Sequence, residues 1–424
     1  MKFFSETEEM KLVMIKSNKI LKLLYFLIVS MGASALNFIV QIIGARSLDL
    51  KDYGEFNTYV TFLNLISPLL GMGLANLWIR EYSKSEDIGN KNLRGSLIFF
   101  IITLFLIFVF QIAYSAFDVN NYLAFSILCT FVWAQAATEL VNSFNLINNN
   151  MNKYIFWRLC TPILRIFIIL IFIYFNGLNI LSISVAYFIS SIPIVVKLCK
   201  DIYDRRMFLK KNEITTFIVF KESWFFGLTS FLYMLYFQSN ILVISKFMSY
   251  QEVAIYSSAL TIVSIALMIP PMIFQKFYAF DINHWFFHDR KKFINFFKKS
   301  LIKMSLSGFI LTVLFILLST QLIQLIYGSK YESSIGILNI LSICIFFTFL
   351  SSSCSFVFIN KKELFMKTNI MILASFLNLI LSCLTIGEYG IIGVAWVTVF
   401  CYSFVALCFL GYSLKIVLGK GFLK

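Results

Sequence analysis

The sequence predicts an all-α polytopic membrane protein with about 12 transmembrane helices, arranged as two six-helix lobes around a central cavity. Hydrophobic residues make up 59% of the 424 residues and charged residues only 13%, whereas soluble domains carry about 25% charged residues. The mean hydropathy is +0.84. Uncharged blocks such as 23–44, 95–117 and 391–414 are long enough to cross a bilayer, because a helix rises 1.5 Å per residue and a crossing needs about 20 residues.

Twelve apolar segments can be placed along the chain. They lie at about 23–44, 55–79, 95–117, 121–147, 154–175, 180–198, 224–245, 253–275, 304–327, 334–359, 368–386 and 391–414. If the N-terminus is cytoplasmic, the loops on that side hold 31 of the 36 Lys and Arg residues. Arg165 lies inside a span, and the opposite side carries Arg46, Lys51, Lys246 and Lys330. This bias predicts an even number of spans with both termini in the cytoplasm.

A polar stretch, 197–221, divides the spans into two groups of six. We therefore expect an N-terminal lobe over residues 1–200 and a C-terminal lobe over 201–424, a plan used by transporters whose lobes rock about a central site. The segment 288–300 is amphipathic and is expected to lie along the inner membrane surface. The outer loops are short, which argues against a polymerase or ligase with an external catalytic loop.

Several classes of site are not indicated. The chain has no G-x-x-x-x-G-K-[ST] loop and no H-E-x-x-H, so neither a nucleotide nor another cofactor is expected. His284 and His288 are spaced for a metal but lack an evident third ligand, so no metal site is predicted. The net charge of +15 is spread over seven loops and reflects topology and attraction to anionic membrane lipids rather than nucleic-acid binding.

Polar side chains recur at helical spacing within several apolar spans. Asn37 and Gln41 belong to such a row in the first span, Asn64 in the second and Asn240 in the seventh. Each row can join helices by hydrogen bonds, as polar residues commonly do in membranes. Alternatively, several rows together can line a hydrated central cavity. The second interpretation makes these four amides candidate substrate ligands.

Charges inside the spans are the other candidate site residues, because burying them in lipid is costly. Arg165 lies near the middle of the fifth span, and Glu139 lies at a similar depth in the fourth if the hairpin turns near residues 150–152. We therefore expect a Glu139–Arg165 ion pair, acting either as a structural clamp or as a substrate or proton-coupling site. Arg46 and Arg80, at span ends, are either interfacial anchors or further ligands.

Four segments in register carry a resemblance to a known family. They are residues 44–84, 239–265, 325–343 and 376–403, and the first contains the Asp-Tyr-Gly at 52–54 followed by a Gly-x-Gly. The chain resembles the bacterial polysaccharide flippases of the multidrug/oligosaccharidyl-lipid/polysaccharide exporter superfamily. It departs from them at Ser239-Asn240, where the seventh span often carries an acidic residue, and at Ala254, where glycine is common.

The resemblance implies a translocase of undecaprenyl-diphosphate-linked oligosaccharide in the bacterial inner membrane, serving O-antigen or capsule synthesis beside a polymerase and a chain-length regulator. Arg165, with Arg46 and Arg80, would then meet the diphosphate, and the amides would meet the glycan. Alternating access would be driven by an ion gradient, with Glu139 as a coupling group. A cation-coupled multidrug exporter of the same fold is the main alternative, and a membrane-embedded polymerase or transferase is the second.

Overall fold

The computed structural model describes residues 32–84, 86–91, 93–117, 121–148, 150–175, 177–205, 207, 215–274 and 278–418. Within these ranges the chain is helical and contains no β-strand. The predicted all-α class is therefore confirmed. The first part of the first predicted span, up to residue 31, lies outside the described residues.

The described part of the first half contains nine α-helices, of which α1 is described over residues 32–47. The others are α2 Leu50–Ile66, α3 Leu74–Lys84, α4 Glu86–Lys91, α5 Leu93–Phe117, α6 Tyr122–Leu128, α7 Thr130–Ile147, α8 Met151–Phe175 and α9 Ile180–Asp204. Helix α9 begins with a capping box in which the side chains of Asn179 and Ser182 bond each other's backbone N–H. The predicted lobe boundary at residue 200 falls in the last turns of α9.

The second predicted span is broken rather than continuous. After α2, Ser67–Leu69 form one 3-10 turn and Gly71, Met72 and Gly73 all take positive φ values before α3 begins. A Cβ on Gly73 would lie 2.5 Å from the Cβ of Phe226, so the backbone here touches the second half of the chain. A discontinuous helix of this kind exposes backbone and polar groups to a central space.

The second half contains seven helices among the described residues. They are α10 Thr216–Phe247, α11 Tyr250–Met272, α12 Ala279–His288, α13 Arg290–Leu317, α14 Ser319–Ile326, α15 Ser334–Ser355 and α16 Lys361–Leu418. A straight α16 would be about 87 Å long, far more than the roughly 30 Å of a bilayer core. The helix instead breaks at Gly390, with φ 57° and ψ −148°. Ser382 and Thr398, equally far from the break, both bond the side chain of Asn240, so α16 is a hairpin.

Ten segments of the described chain are long and apolar enough to cross a membrane. One of them, Lys362–Val417, contains the hairpin of α16 and so supplies two crossings. With α1, the count roughly agrees with the predicted twelve. The apolar window of α13 has a mean hydropathy of 2.0, yet only 17% of it is buried within the protein, as expected for a helix that faces lipid.

The amphipathic segment 288–300 departs from its prediction. It forms the end of α12 and the first turns of α13, which begins where the Asp289 side chain accepts a bond from the N–H of Lys292 at 3.1 Å. Phe293 and Phe297 are 4% and 1% exposed and pack against the ring of Phe356. The apolar face is therefore covered by protein rather than left free to lie on a membrane surface.

Candidate functional site

A cavity of about 970 Å³ lies between the two halves of the chain. Its first-half wall is formed by α1, α2, α7 and α8 and carries these polar residues: Asn37, Gln41, Asn57, Thr61, Asn64, Gln135, Thr138, Glu139, Arg158, Thr161 and Arg165. The facing wall, from α10 and α11, mixes apolar and methionine side chains with uncharged polar ones: Ser230, Met234, Phe237, Gln238, Ser257, Leu260, Thr261, Ser264, Ile265, Met268, Ile269 and Met272. The charged side chains that line the cavity thus lie on the first-half wall, which we call the polar wall, and the second-half wall is uncharged.

The amides of the polar wall are held by specific hydrogen bonds. Gln135 Nε2 on α7 donates to Asn64 Oδ1 on α2 at 2.9 Å. Tyr53 OH donates to Gln41 Oε1 at 3.4 Å, and Asn37 Nδ2 donates to the carbonyl of Ala33 at 3.1 Å. Gln41, Asn64 and Gln135 therefore join helices and line the cavity at once, whereas this bond of Asn37 lies within its own helix.

Arg165 is the most enclosed charge of the cavity wall, with 3% of its surface exposed. Its guanidinium carbon lies 3.7 Å from the centre of the Tyr187 ring, a cation–π contact. Nη1 donates to Asn37 Oδ1 and Nε to Ser190 Oγ, each at 3.4 Å. Three neutral groups from α1 and α9 thus hold the cation in place.

The predicted Glu139–Arg165 pair is wrong. Glu139 Oε1 instead accepts from Arg158 Nη1 at 3.2 Å. The reason is where the two helices end and begin: α7 ends at Ile147 and α8 begins at Met151. Glu139 lies eight residues before the end of α7, and Arg158 lies seven residues after the start of α8, whereas Arg165 lies fourteen residues after it. Arg158 is therefore level with Glu139, and Arg165 lies about two helical turns further along α8.

Arg158 is a cavity residue that the sequence argument missed, because it was grouped with the basic loop before the fifth span. A signal was available, since Arg158 lies seven residues before Arg165, which places both on one face of a helix. Two arginines and one glutamate are the charged residues that line the cavity among the residues described.

Three candidate ligands lie away from the cavity wall. Asn240, 1% exposed, is in the core of the second half, where its Nδ2 donates to Thr398 Oγ1 at 2.6 Å and to Tyr256 OH at 3.2 Å. Arg80 forms an ion pair with its neighbour Glu81 on α3, at 2.9 Å, and a second one with Glu222 that joins α3 to α10. These two predictions failed because helical spacing shows which residues share a face, but not which helix covers that face.

Arg46, the third, belongs to a seal between the halves that we call the closed end, formed by residues 45–54, 247–254 and 325–331. Arg46 Nε donates to the carbonyl of Ile326 at 2.7 Å, and its Nη2 bonds the carbonyl of Leu325. In return, Lys330 Nζ donates to the carbonyls of Leu48, at 2.7 Å, and Arg46, at 3.2 Å. Each half thus places a cation on the C-terminal carbonyls of a helix in the other half, which is the favourable end for positive charge.

Removing the Lys330 cation is expected to loosen the closed end. Burial lowers the pKa of Lys330, and the charge of Asp49 opposes that shift. A Lys330→Met variant keeps the aliphatic chain but loses about 0.3–1 kcal/mol of charge–dipole stabilisation. Amide hydrogen exchange in residues 44–50 should therefore become faster, and Lys153→Met, at the other end of the molecule, should leave it unchanged. If the amides of residues 44–50 exchanged equally fast in Lys330→Met and Lys153→Met, Lys330 would not stabilise the closed end.

The chain is similar to one protein family in sequence and to several solved structures in fold. Residues 21–277 match the family described as "Polysaccharide biosynthesis protein". The lipid II flippase MurJ, in an inward closed conformation, is 16% identical with a TM-score of 0.63, covering 93% of this chain and 90% of that one. An inward-facing multidrug resistance MATE family transporter of the MOP superfamily is 14% identical with a TM-score of 0.71, covering 92% and 94%. A MOP superfamily transporter from Pyrococcus furiosus is 13% identical with a TM-score of 0.59, covering 94% and 95%.

No curated protein matches the chain in sequence. The structural likenesses, at these low identities, establish the fold alone, whereas the family match extends over more than half of the chain. The chain therefore belongs to the polysaccharide biosynthesis protein family and is a multi-pass membrane protein with the fold of the MOP-superfamily flippases and transporters.

Proposed function

We propose that this protein is a flippase that moves undecaprenyl-diphosphate-linked oligosaccharide repeat units across the bacterial inner membrane for O-antigen or capsular polysaccharide synthesis. The observation that carries this proposal is the polar cavity wall, with Arg158 and Arg165 on one helix beside a row of amides. Guanidinium groups bind phosphate oxygens through charge-assisted hydrogen bonds, and amides can both donate to and accept from sugar hydroxyls. A diphosphate that carries a glycan needs both kinds of group.

The uncharged second-half wall supports the same substrate class. Methionine and branched aliphatic side chains of α10 and α11 line the cavity together with the arginines of α8. An amphiphile can place its charged head on the first-half wall while the carbons nearest the head contact the second-half wall. Methionine suits such a surface, because its flexible, polarisable side chain adapts to ligands of different shape.

The basic residues support an orientation. Arg46, Lys51 and Lys330 belong to the closed end and Lys246 directly precedes one of its segments, whereas the other loop Lys and Arg fall in segments assigned to the cytoplasmic side by the sequence. By the positive-inside rule, the proposed orientation has the closed end outside and both termini in the cytoplasm. Along α11 the cavity lining continues to Met272, the last residue of that helix, which is on the cytoplasmic side in this orientation. In this orientation the cavity receives substrate from the inner leaflet, and the lobes 1–200 and 201–424 would rock to open the closed end.

Such a protein performs transport and no bond-breaking step, with an ion gradient as the proposed driver and a polymerase and a chain-length regulator as downstream partners. The multidrug exporter is the second candidate, because MATE transporters share the fold. The charges of the cavity favour the flippase. A cationic drug would meet two arginines, and the carboxylate of Glu139 is already engaged by Arg158.

Deleting the gene in its bacterium tests the assignment. We expect surface polysaccharide to be lost and lipid-linked repeat units to accumulate on the inner leaflet, both restored by the wild-type gene. An unchanged amount of surface polysaccharide, together with increased sensitivity to cationic drugs, would reject the flippase and support the exporter.

A further inference from the structure

The Glu139–Arg158 pair has features that a structural ion pair does not need. The two side chains touch through one contact, Nη1 to Oε1 at 3.2 Å, and are 30% and 63% exposed for Arg158 and Glu139, respectively. Exposed pairs contribute only about 0–1 kcal/mol to stability. Both residues also line the cavity. The pair can therefore open without disturbing the packing of α7 against α8.

This contact engages one N–H donor of the Arg158 guanidinium group. A guanidinium group has five N–H donors arranged to grip a carboxylate or phosphate with two parallel bonds. Arg158 has one polar contact in the part of the chain that the structure describes, and its acceptor is an anion. The Glu139 carboxylate, held by a single hydrogen bond, lies where another anion would bind Arg158 more strongly if it formed two parallel bonds.

Arg158 and Arg165 differ in this respect. Arg165 is held by Tyr187, Asn37 and Ser190, which are all neutral, and within the described part of the chain no ion pair joins it to a carboxylate. Arg158 is paired with Glu139. An anion that enters the cavity therefore meets no competing carboxylate on Arg165 among these contacts, but it must displace Glu139 to reach Arg158.

We propose that Glu139 is a built-in competitor of the substrate: in the empty cavity it occupies the position on Arg158 that a phosphate group takes when a diphosphate-bearing amphiphile binds. This inference rests on the proposed function and adds two roles to it. Arg158 is a second anion ligand beside Arg165, and Glu139 weakens binding so that the diphosphate can leave. After release, Glu139 pairs again with Arg158 and returns the cavity to its resting state.

Binding measurements on the purified full-length protein test this inference, with farnesyl diphosphate and inorganic pyrophosphate as probes. The Glu139→Gln variant should bind both probes about 2- to 5-fold more tightly, because an exposed pair of this kind is worth up to about 1 kcal/mol, which is about a fivefold change in affinity. Arg158→Gln should bind both probes more weakly, and adding Glu139→Gln to it should bring no further gain. Glu388→Gln, the same charge change at an exposed position on α16, is the matched control and should bind like wild type.

The direction of the change separates competition from a structural role, since a damaged fold does not bind more tightly. Equal or weaker binding by Glu139→Gln would overturn the inference, and so would a gain with farnesyl diphosphate alone, because both probes carry the same diphosphate. If wild type bound neither probe, the proposed diphosphate site itself would fall. If wild type bound both probes and Glu139→Gln bound them no more tightly, only the role of Glu139 as a competitor would be rejected.

Discussion

A Gly54→Ala variant is expected to be unable to form the closed end and to lose transport. The added Cβ would lie 1.7 Å from the carbonyl oxygen of Tyr250 and 2.6 Å from its carbonyl carbon. Both are backbone atoms at the start of α11, so no side-chain rotation can relieve the clash. Helices α2 and α11 must therefore move apart where they now touch. Overpacking of this kind costs about 1–3 kcal/mol, which shifts the balance between closed and open forms roughly 5- to 150-fold.

Distances between spin labels at Lys51 and Glu332, which lie on opposite sides of the seal, measure this effect directly. The eight native cysteines are first replaced so that only these two positions are labelled. Wild type should give a single short distance, and Gly54→Ala should add a longer one. Gly336→Ala is the matched control, since a Cβ there meets no atom within 4 Å. An unchanged distance distribution in Gly54→Ala would show that the closed end tolerates the extra carbon.

An Arg165→Lys variant is expected to accumulate in the membrane normally and yet fail to transport. Lysine keeps the positive charge but lacks the planar guanidinium group, whose carbon lies 3.7 Å from the centre of the Tyr187 ring. It also lacks the two N–H groups that donate to Asn37 and to Ser190. Without these contacts the cation is no longer held toward the cavity. Losing a buried, hydrogen-bonded charge contact costs about 2–5 kcal/mol, which corresponds to at least a roughly 30-fold fall in transport.

Two measurements in the deletion strain are needed: the amount of membrane-inserted protein and the amount of lipid-linked repeat unit left on the inner leaflet. Arg205→Lys is the matched control, because Arg205 also stacks on a ring, that of Phe144 at 4.0 Å, but does not line the cavity. Normal transport by Arg165→Lys would show that transport does not require the guanidinium group of Arg165. Loss of the protein itself would identify Arg165 as a structural clamp between α1, α8 and α9.

The helical class and the approximate number of spans could be predicted from composition and local pattern. The length of each apolar block, the sharp drop in charge and the turn at Gly390 are local properties, and a lipid environment imposes helices on any chain segment that crosses it. Of the basic residues grouped on one side by the positive-inside count, Arg46 and Lys330 both take part in the closed end. Asn37, Gln41 and Asn64 line the cavity, and their role as substrate ligands stays a prediction.

The partners of the charged residues were decided by the tertiary structure alone. Because α7 ends at Ile147 and α8 begins at Met151, Glu139 pairs with Arg158 rather than with Arg165. Asn240 lies in a row of polar residues like those of the cavity, but α16 folds back over it and buries it. The period of a helix determines which side chains share a face, whereas the helix that covers that face comes from a distant part of the chain. The sequence therefore determined the helical class and the spans, but not the charge pairs of the cavity or its closed end.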